Sequence, residues 1–378
     1  MRRAHRPATG LMGWPQAARR VICLIGAAVA AAVLAWSPGP AQAAATPGQP
    51  TAAAAGARPL RIAFVSHAPN SDTWWNVIRN ALKDGAADFN AQVDYLNPAD
   101  GSIDAMAEII SKLGPDRYDA VAATVADLGK LKGPLSALAA RGLPLVTVNS
   151  GTTDDSVAVK ALLHIGQPEY LAGLQAGQRA AKAGHKKFVC LNHFSSVQAS
   201  HERCAGFHKG LTGQDSGVQE LVLDGSPEAM RSTIDALLQG SNVPTALLAL
   251  GTTSALPAMA ALRALPAGQA VPMLYTFDLS AEITEGIRKG LVGFAIDQQP
   301  YAQGYLSVAY LAEYLRMGRP ANINTPKYQL YTLYPLHQRM GRYGIELKPS
   351  NGRDIQSGPG FVTRLNLDKV ERYSGSYR

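Results

Sequence analysis

From residue 60 onward the chain alternates short apolar runs with helical stretches, and it does so twice over. In the first half the runs lie at 62–66, 93–97, 120–124, 145–149 and 161–165, with helical patterns at 75–90, 103–113, 132–141 and 168–183. In the second half they lie at 187–192, 219–223, 246–250, 273–277 and 292–297, with helical patterns at 200–211, 227–239, 255–265, 281–289 and 300–317. Strands separated by helices form crossovers rather than hairpins, which gives a parallel sheet covered by helices. Two such arrays of similar size, with no short sequence repeat, predict an α/β fold of two Rossmann-like, flavodoxin-type lobes. The length agrees, since roughly 320 residues exceed what one hydrophobic core usually covers.

The first 43 residues differ from the rest. They carry Arg2, Arg3, Arg6, Arg19 and Arg20, no acidic residue, an apolar run at 21–36, and then Ala41-Gln42-Ala43. A basic segment, an apolar core and an Ala-x-Ala site form the pattern of a secretory signal peptide, which places the mature chain in the periplasm. The competing reading is an uncleaved amino-terminal anchor, but a run of this length is short for a spanning helix, which needs about 20 residues. Removing five basic residues lowers the formal net charge from +8 to +3, so the high isoelectric point is no warrant for nucleic-acid binding. Residues 44–59 read as a flexible leader. Two cysteines remain, Cys190 and Cys204, and in an exported chain they either close a disulfide or stay as two buried thiols.

The loop after the first apolar run reads Ser66-His67-Ala68-Pro69-Asn70-Ser71-Asp72-Thr73-Trp74-Trp75. It lies at the carboxyl end of a strand, where open α/β sheets bind their ligands. Trp14 and Trp36 belong to the expected signal peptide. Trp74 and Trp75 are therefore the indoles of the mature protein, and they stand side by side among polar residues. That pattern suits a flat, stacked ligand.

Four motifs then carry a resemblance. Ile62-Ala63-Phe64-Val65 with Trp74-Trp75 comes first, and His164-Ile165-Gly166-Gln167 with Gly173 second. Cys190-Leu191-Asn192-His193 leading to His201-Glu202-Arg203-Cys204-Ala205-Gly206-Phe207 is the third, and Ile296-Asp297-Gln298-Gln299-Pro300-Tyr301 with Gln303-Gly304-Tyr305 the fourth. In this order they resemble the type I periplasmic solute-binding proteins of sugar ABC importers, the ribose- and galactose-binding group. The resemblance implies two lobes joined by a three-segment hinge that closes around a solute. Residues 60–165 with 296–326 would form the amino-terminal lobe. Residues 166–295 with 327–378 would form the carboxyl-terminal lobe and its extension. The crossings are expected near Ile165-Gly166, near Ala295-Ile296 and near Thr325–Tyr328.

The same resemblance implies a site. Trp74 and Trp75 supply the flat face. Asn149 ends a strand where the family usually carries an Asp, and Ser150 and His201 stand where it often has Arg. Asn192 and Thr252 end two strands of the second lobe. Asp278 matches that lobe's carboxylate, and Gln298 a hinge position that reaches the ligand. Asp278 is free for this role because Ser280 can cap the following helix. With two arginines replaced, a less polar solute, such as a lipid or signalling molecule, stands as the alternative to a sugar.

Enzyme classes find no support: zinc-ligand spacing, a nucleophile elbow, a P-loop and a dinucleotide-binding glycine motif are all missing from the sequence. The sequence thus predicts a monomeric, non-enzymatic binding protein without cofactor, metal or nucleic-acid partner. It would deliver a sugar-like solute to an inner-membrane ABC permease or, alternatively, report it to a membrane kinase or chemoreceptor.

Overall fold

The computed structural model describes residues 58–195, 197–347 and 352–378. The expected signal peptide and nearly all of the expected leader lie outside the described residues. Among the described residues no helix is long and apolar enough to cross a membrane.

The first array runs β1 (Leu60–Val65), α1 (Asn76–Asp88), β2 (Ala91–Leu96), α2 (Ile103–Ser111), β3 (Ala120–Ala123), α3 (Leu128–Ala140), β4 (Leu145–Val148), α4 (Thr153–Ala158) and β5 (His164–Gly166). The second runs α5 (Glu169–Lys182), β6 (Phe188–Asn192), α6 (Gln198–Thr212), β7 (Glu220–Val222), α7 (Pro227–Gln239), β8 (Ala246–Ala249), α8 (Thr252–Arg263), β9 (Met273–Phe277), α9 (Ala281–Lys289) and β10 (Val292–Asp297). The remainder is α10 (Pro300–Arg316), α11 (Asn324–Leu330), α12 (Tyr334–Arg342), β11 (Asp354–Gln356) and β12 (Gly360–Val362). The two sheets have the orders β11-β5-β4-β3-β1-β2 and β12-β10-β9-β8-β6-β7. All pairings are parallel except that of β12 with β10. Two α/β lobes were expected, and two are present. Central strands such as β3 and β4 are buried throughout, because helices cover both faces of a parallel sheet.

Three short segments pass between the sheets. Gln167-Pro168 links β5 to α5, Gln298-Gln299 links β10 to α10, and Ser357-Gly358-Pro359 links β11 to β12. The third crossing was expected near Thr325–Tyr328 and lies about thirty residues later. Residues 324–347 and 354–356 correspondingly pack on the first lobe, not the second: Leu330, Leu336, Met340, Tyr343, Ile345 and Ile355 join the core that holds Phe64, Ile78 and Tyr305. With Tyr328, Tyr331 and Tyr334 at every third position, residues 321–336 read in the sequence as an extended segment crossing over the surface. The segment instead forms two helices, because Leu330, Leu333, Leu336 and Met340 recur at helical spacing and have a core to face. Residues 366–373, which read in the sequence as a short helix, form two 3₁₀ turns at Leu367–Lys369 and Glu371–Tyr373.

Helices α5 and α6 approach each other unusually closely. A Cβ on Gly173 would lie 2.3 Å from the Arg203 carbonyl oxygen, and one on Gly206 2.1 Å from that of Tyr170. Gly177 and Gly210 repeat the contact one turn on, so the two backbones touch along a glycine seam. The Cys190–Cys204 disulfide is formed, with 5.9 Å between Cα atoms, and ties α6 to β6, the strand next to the β7 edge of its sheet. Seam and disulfide together fix the amino-terminal half of α6, which carries Arg203.

Candidate functional site

The carboxyl ends of both sheets face one cleft, lined by the two tryptophans and by residues of both lobes, with a cavity of about 150 Å³.

The first lobe supplies the flat wall. Asp72 caps the turn at Thr73–Trp75 by accepting from the Trp74 amide at 3.1 Å. The cap fixes both indoles, which meet edge to face at 5.3 Å. Both indoles line the cleft; Trp75 is 3% exposed and belongs to the lobe's core, whereas Trp74 is only half-buried and packs against the edge of that core. His67 lies edge-on to Trp75, and its Nδ1 is 3.0 Å from the Thr124 hydroxyl. Burial lowers its pKa to about 4, so the ring is neutral. Asn149 ends β4 in the left-handed region with φ of 63°, a conformation Asn tolerates better than most residues. Its amide donates to Gln303 Oε1 at 2.9 Å, and its own Oδ1 accepts from the Ser150 hydroxyl at 3.2 Å.

The second lobe supplies the charges. Arg203 donates through Nε to Glu169 Oε2 at 2.7 Å and through Nη2 to Glu169 Oε1 at 2.8 Å. It also reaches the Leu250 carbonyl at 3.0 Å and Gln298 Oε1 at 2.9 Å, and lies 4.4 Å over the Phe277 ring. The two side chains are 12% and 8% exposed. This is a bidentate pair whose cation is fully engaged. Asp278, with φ of 67°, accepts from Gln298 Nε2 through Oδ1 at 2.6 Å. Its Oδ2 has no hydrogen-bond partner among the described residues. Burial pushes its pKa up to about 7, against the opposing effects of Arg203 and the Gln298 bond. Gly251 allows this crowding, because a Cβ there would stand 3.1 Å from Asp278 Oδ2 and 3.2 Å from the His193 ring. Ser280, not Asp278, caps α9.

Of the residues singled out in the sequence, Trp74, Trp75, Asn149, Ser150, Thr252, Asp278 and Gln298 line the cleft. Asn192 and His201 do not. Asn192 donates to Glu220 and accepts from the Phe194 amide, so it shapes the following loop. His201 sits between Glu220, at 3.1 Å, and the Ser195 carbonyl, at 2.8 Å. Two residues along a helix turn the side chain by about 200°, so Arg203 faces the cleft and His201 faces away. The guanidinium expected to be absent is therefore present, two positions on. His67, Asp72 and His193 lie in segments that the sequence placed at the cleft, and they line it; Glu169, Phe194 and Arg203 are lining residues that the sequence did not mark.

A profile of the periplasmic binding protein domain matches residues 62–320. The chain belongs to that family. Its members are solute-binding proteins rather than enzymes. The chain is similar in structure to a carbohydrate transporter from Acidothermus cellulolyticus 11B in complex with myo-inositol, at 27% identity and a TM-score of 0.69, covering 84% of this chain and 99% of that one. A solute-binding protein of an ABC transporter from Burkholderia graminis C4D1M, in complex with D-arabinose, aligns at 17% identity and 0.65 over 82% and 98% of the two chains. The arabinose-binding protein AraP from Geobacillus stearothermophilus aligns at 17% and 0.62, over 82% and 98%. The last two show the fold alone. No curated protein matches significantly.

Proposed function

We propose that this chain is the periplasmic substrate-binding subunit of an ABC importer and captures a neutral, ring-shaped polyol, a monosaccharide or cyclitol. One observation carries the ligand class: the Arg203 guanidinium is already neutralised by Glu169, so among the described residues the cleft offers an anion no free cation. What it does offer suits hydroxyls. Trp74 gives a flat apolar face for ring C–H groups, Asp278 Oδ2 accepts O–H donors, and Asn149, Ser150 and Thr252 both donate and accept. The myo-inositol held by the carbohydrate transporter of Acidothermus cellulolyticus is a solute of this kind. The same reading makes the mature chain a monomer that hands its solute to a membrane permease, with no chemistry performed.

The test is a thermal-shift panel followed by calorimetry, with neutral sugars and cyclitols set against uronates, sugar phosphates, amino acids and lipids. A solute that binds only the folded chain raises the melting temperature. Stabilisation by neutral polyols supports the reading. Stabilisation by anions or lipids alone overturns it.

A further inference from the structure

Behind the cleft, a buried network joins one wall residue to all three crossings. Gln303, on the first turn of α10, is fully buried. Its Oε1 accepts from Asn149 Nδ2 at 2.9 Å, which fixes a side chain of the cleft wall. Its Nε2 donates to the Gln298 carbonyl at 3.1 Å, on the second crossing, and to Ser357 Oγ at 3.0 Å, on the third. Ser357 Oγ donates in turn to the same Gln298 carbonyl at 2.8 Å, and the Ser357 amide to the Gly166 carbonyl, at the first crossing, at 3.0 Å. The Gln298 side chain then reaches Asp278 and Arg203 on the opposite wall.

We propose that Gln303 is a positioning residue that couples the Asn149 wall of the cleft to the three crossings, with Ser357 as its relay. This rests on the cleft being the solute site, although Gln303 itself is walled off from it by Asn149. The physical reason is directional. An amide that accepts from the wall and donates to two crossings cannot shift toward one without lengthening its bonds to the others. Asn149 is also held at positive φ, so it has little freedom to follow on its own. A filler residue would give only packing. Gln303 transmits position.

The test uses the mature chain with its disulfide intact and a nitroxide on each lobe, at Lys132→Cys on α3 and Ser232→Cys on α7, both exposed. Gln303→Met keeps the unbranched shape and removes all three hydrogen bonds; Ser357→Ala is the milder second variant. Double electron–electron resonance without solute is expected to show a broadened interlobe distance distribution for Gln303→Met and a smaller broadening for Ser357→Ala. Calorimetry with myo-inositol is expected to show about tenfold and threefold weaker binding. Combined with Asn149→Ala, Gln303→Met should add no further loss, because both cut one path. Wild-type distance distributions in both variants overturn the proposal, as does a loss that multiplies with that of Asn149→Ala. A wild type that ignores myo-inositol counts against the polyol reading instead, and the solute-free distances still decide the role of Gln303.

Discussion

Glu169→Gln separates what Glu169 does for the fold from what it does for selectivity. The substitution preserves shape and removes one charge from a pair whose members are 8% and 12% exposed. Breaking a buried pair from one side costs about 3–5 kcal/mol. The lower end applies here, because Arg203 keeps the Leu250 carbonyl, Gln298 Oε1 and the Phe277 ring, and Gln retains one acceptor. About 3 kcal/mol lowers the melting temperature by roughly 6 °C in a chain of this size. The second effect is on the solute. An unpaired guanidinium at the cleft attracts an anion with about 4 kcal/mol at 4 Å and an effective dielectric constant near 20. Desolvation of the anion offsets most of that, which leaves on the order of a tenfold gain for a uronate over the matching neutral sugar. Calorimetry with D-glucuronate and D-glucose, at low and at high salt, reads this ratio. The gain should shrink with salt. A melting temperature within 1 °C of wild type would show that the pair clamps nothing. A ratio that does not move would show that Arg203 does not face the solute, and the argument for a neutral ligand would fall with it.

The two indoles should part company: Trp74→Ala should weaken myo-inositol binding about tenfold with little change in melting temperature, whereas Trp75→Ala should cost about 3–5 kcal/mol of stability as a core truncation, read by denaturant unfolding. Asp278 has a pKa raised to about 7, so the stability it contributes without solute is full below the ordinary value of 3.8 and lost as pH rises through 7. Asp278→Asn should therefore be the more stable protein at pH 8, with a lead that shrinks toward pH 4; its myo-inositol affinity should be flat between pH 8 and 6, where that of the wild type falls as the acceptor is protonated. Replacing Cys190 and Cys204 by Ser opens a loop of 14 residues and should cost about 3 kcal/mol, measured as a lower denaturation midpoint under oxidising conditions.

The two lobes were legible because each strand is an apolar run and each helix a longer periodic one, and because a parallel sheet demands that alternation. What escaped is short or non-local. The third crossing is flanked by β11 and β12, three residues each, too brief to carry a period. Helices α11 and α12 were hidden by Tyr328, Tyr331 and Tyr334, although the leucines of the same segment keep a helical spacing. In the site, three of the four strand-end residues were found, since Asn149, Thr252 and Asp278 sit where any α/β sheet exposes side chains, while Asn192 turns instead to Glu220 and the Phe194 amide. The helix-borne ones were misassigned: a motif fixes the helix, but a two-residue shift of register exchanges inward Arg203 for outward His201.

The charge balance of the cleft was the least legible property, and the proposed ligand class rests on it. Glu169 reads in the sequence as an ordinary acidic residue in the first turn of a helix, where the helix dipole favours it. Its partner lies 34 residues away, on another helix. Nothing in the spacing of two residues on different helices says that they meet. They meet because Gly173, Gly177, Gly206 and Gly210 let α5 and α6 touch backbone to backbone, which brings the start of one helix beside the second turn of the other. A side chain larger than hydrogen at Gly206 would push the helices apart, since its Cβ would stand 2.1 Å from a carbonyl oxygen. The 2.7 Å bond between Arg203 and Glu169 would lengthen with them. The selectivity proposed here, for an uncharged solute, thus rests on residues that never touch the cleft and have no side chains to mark them.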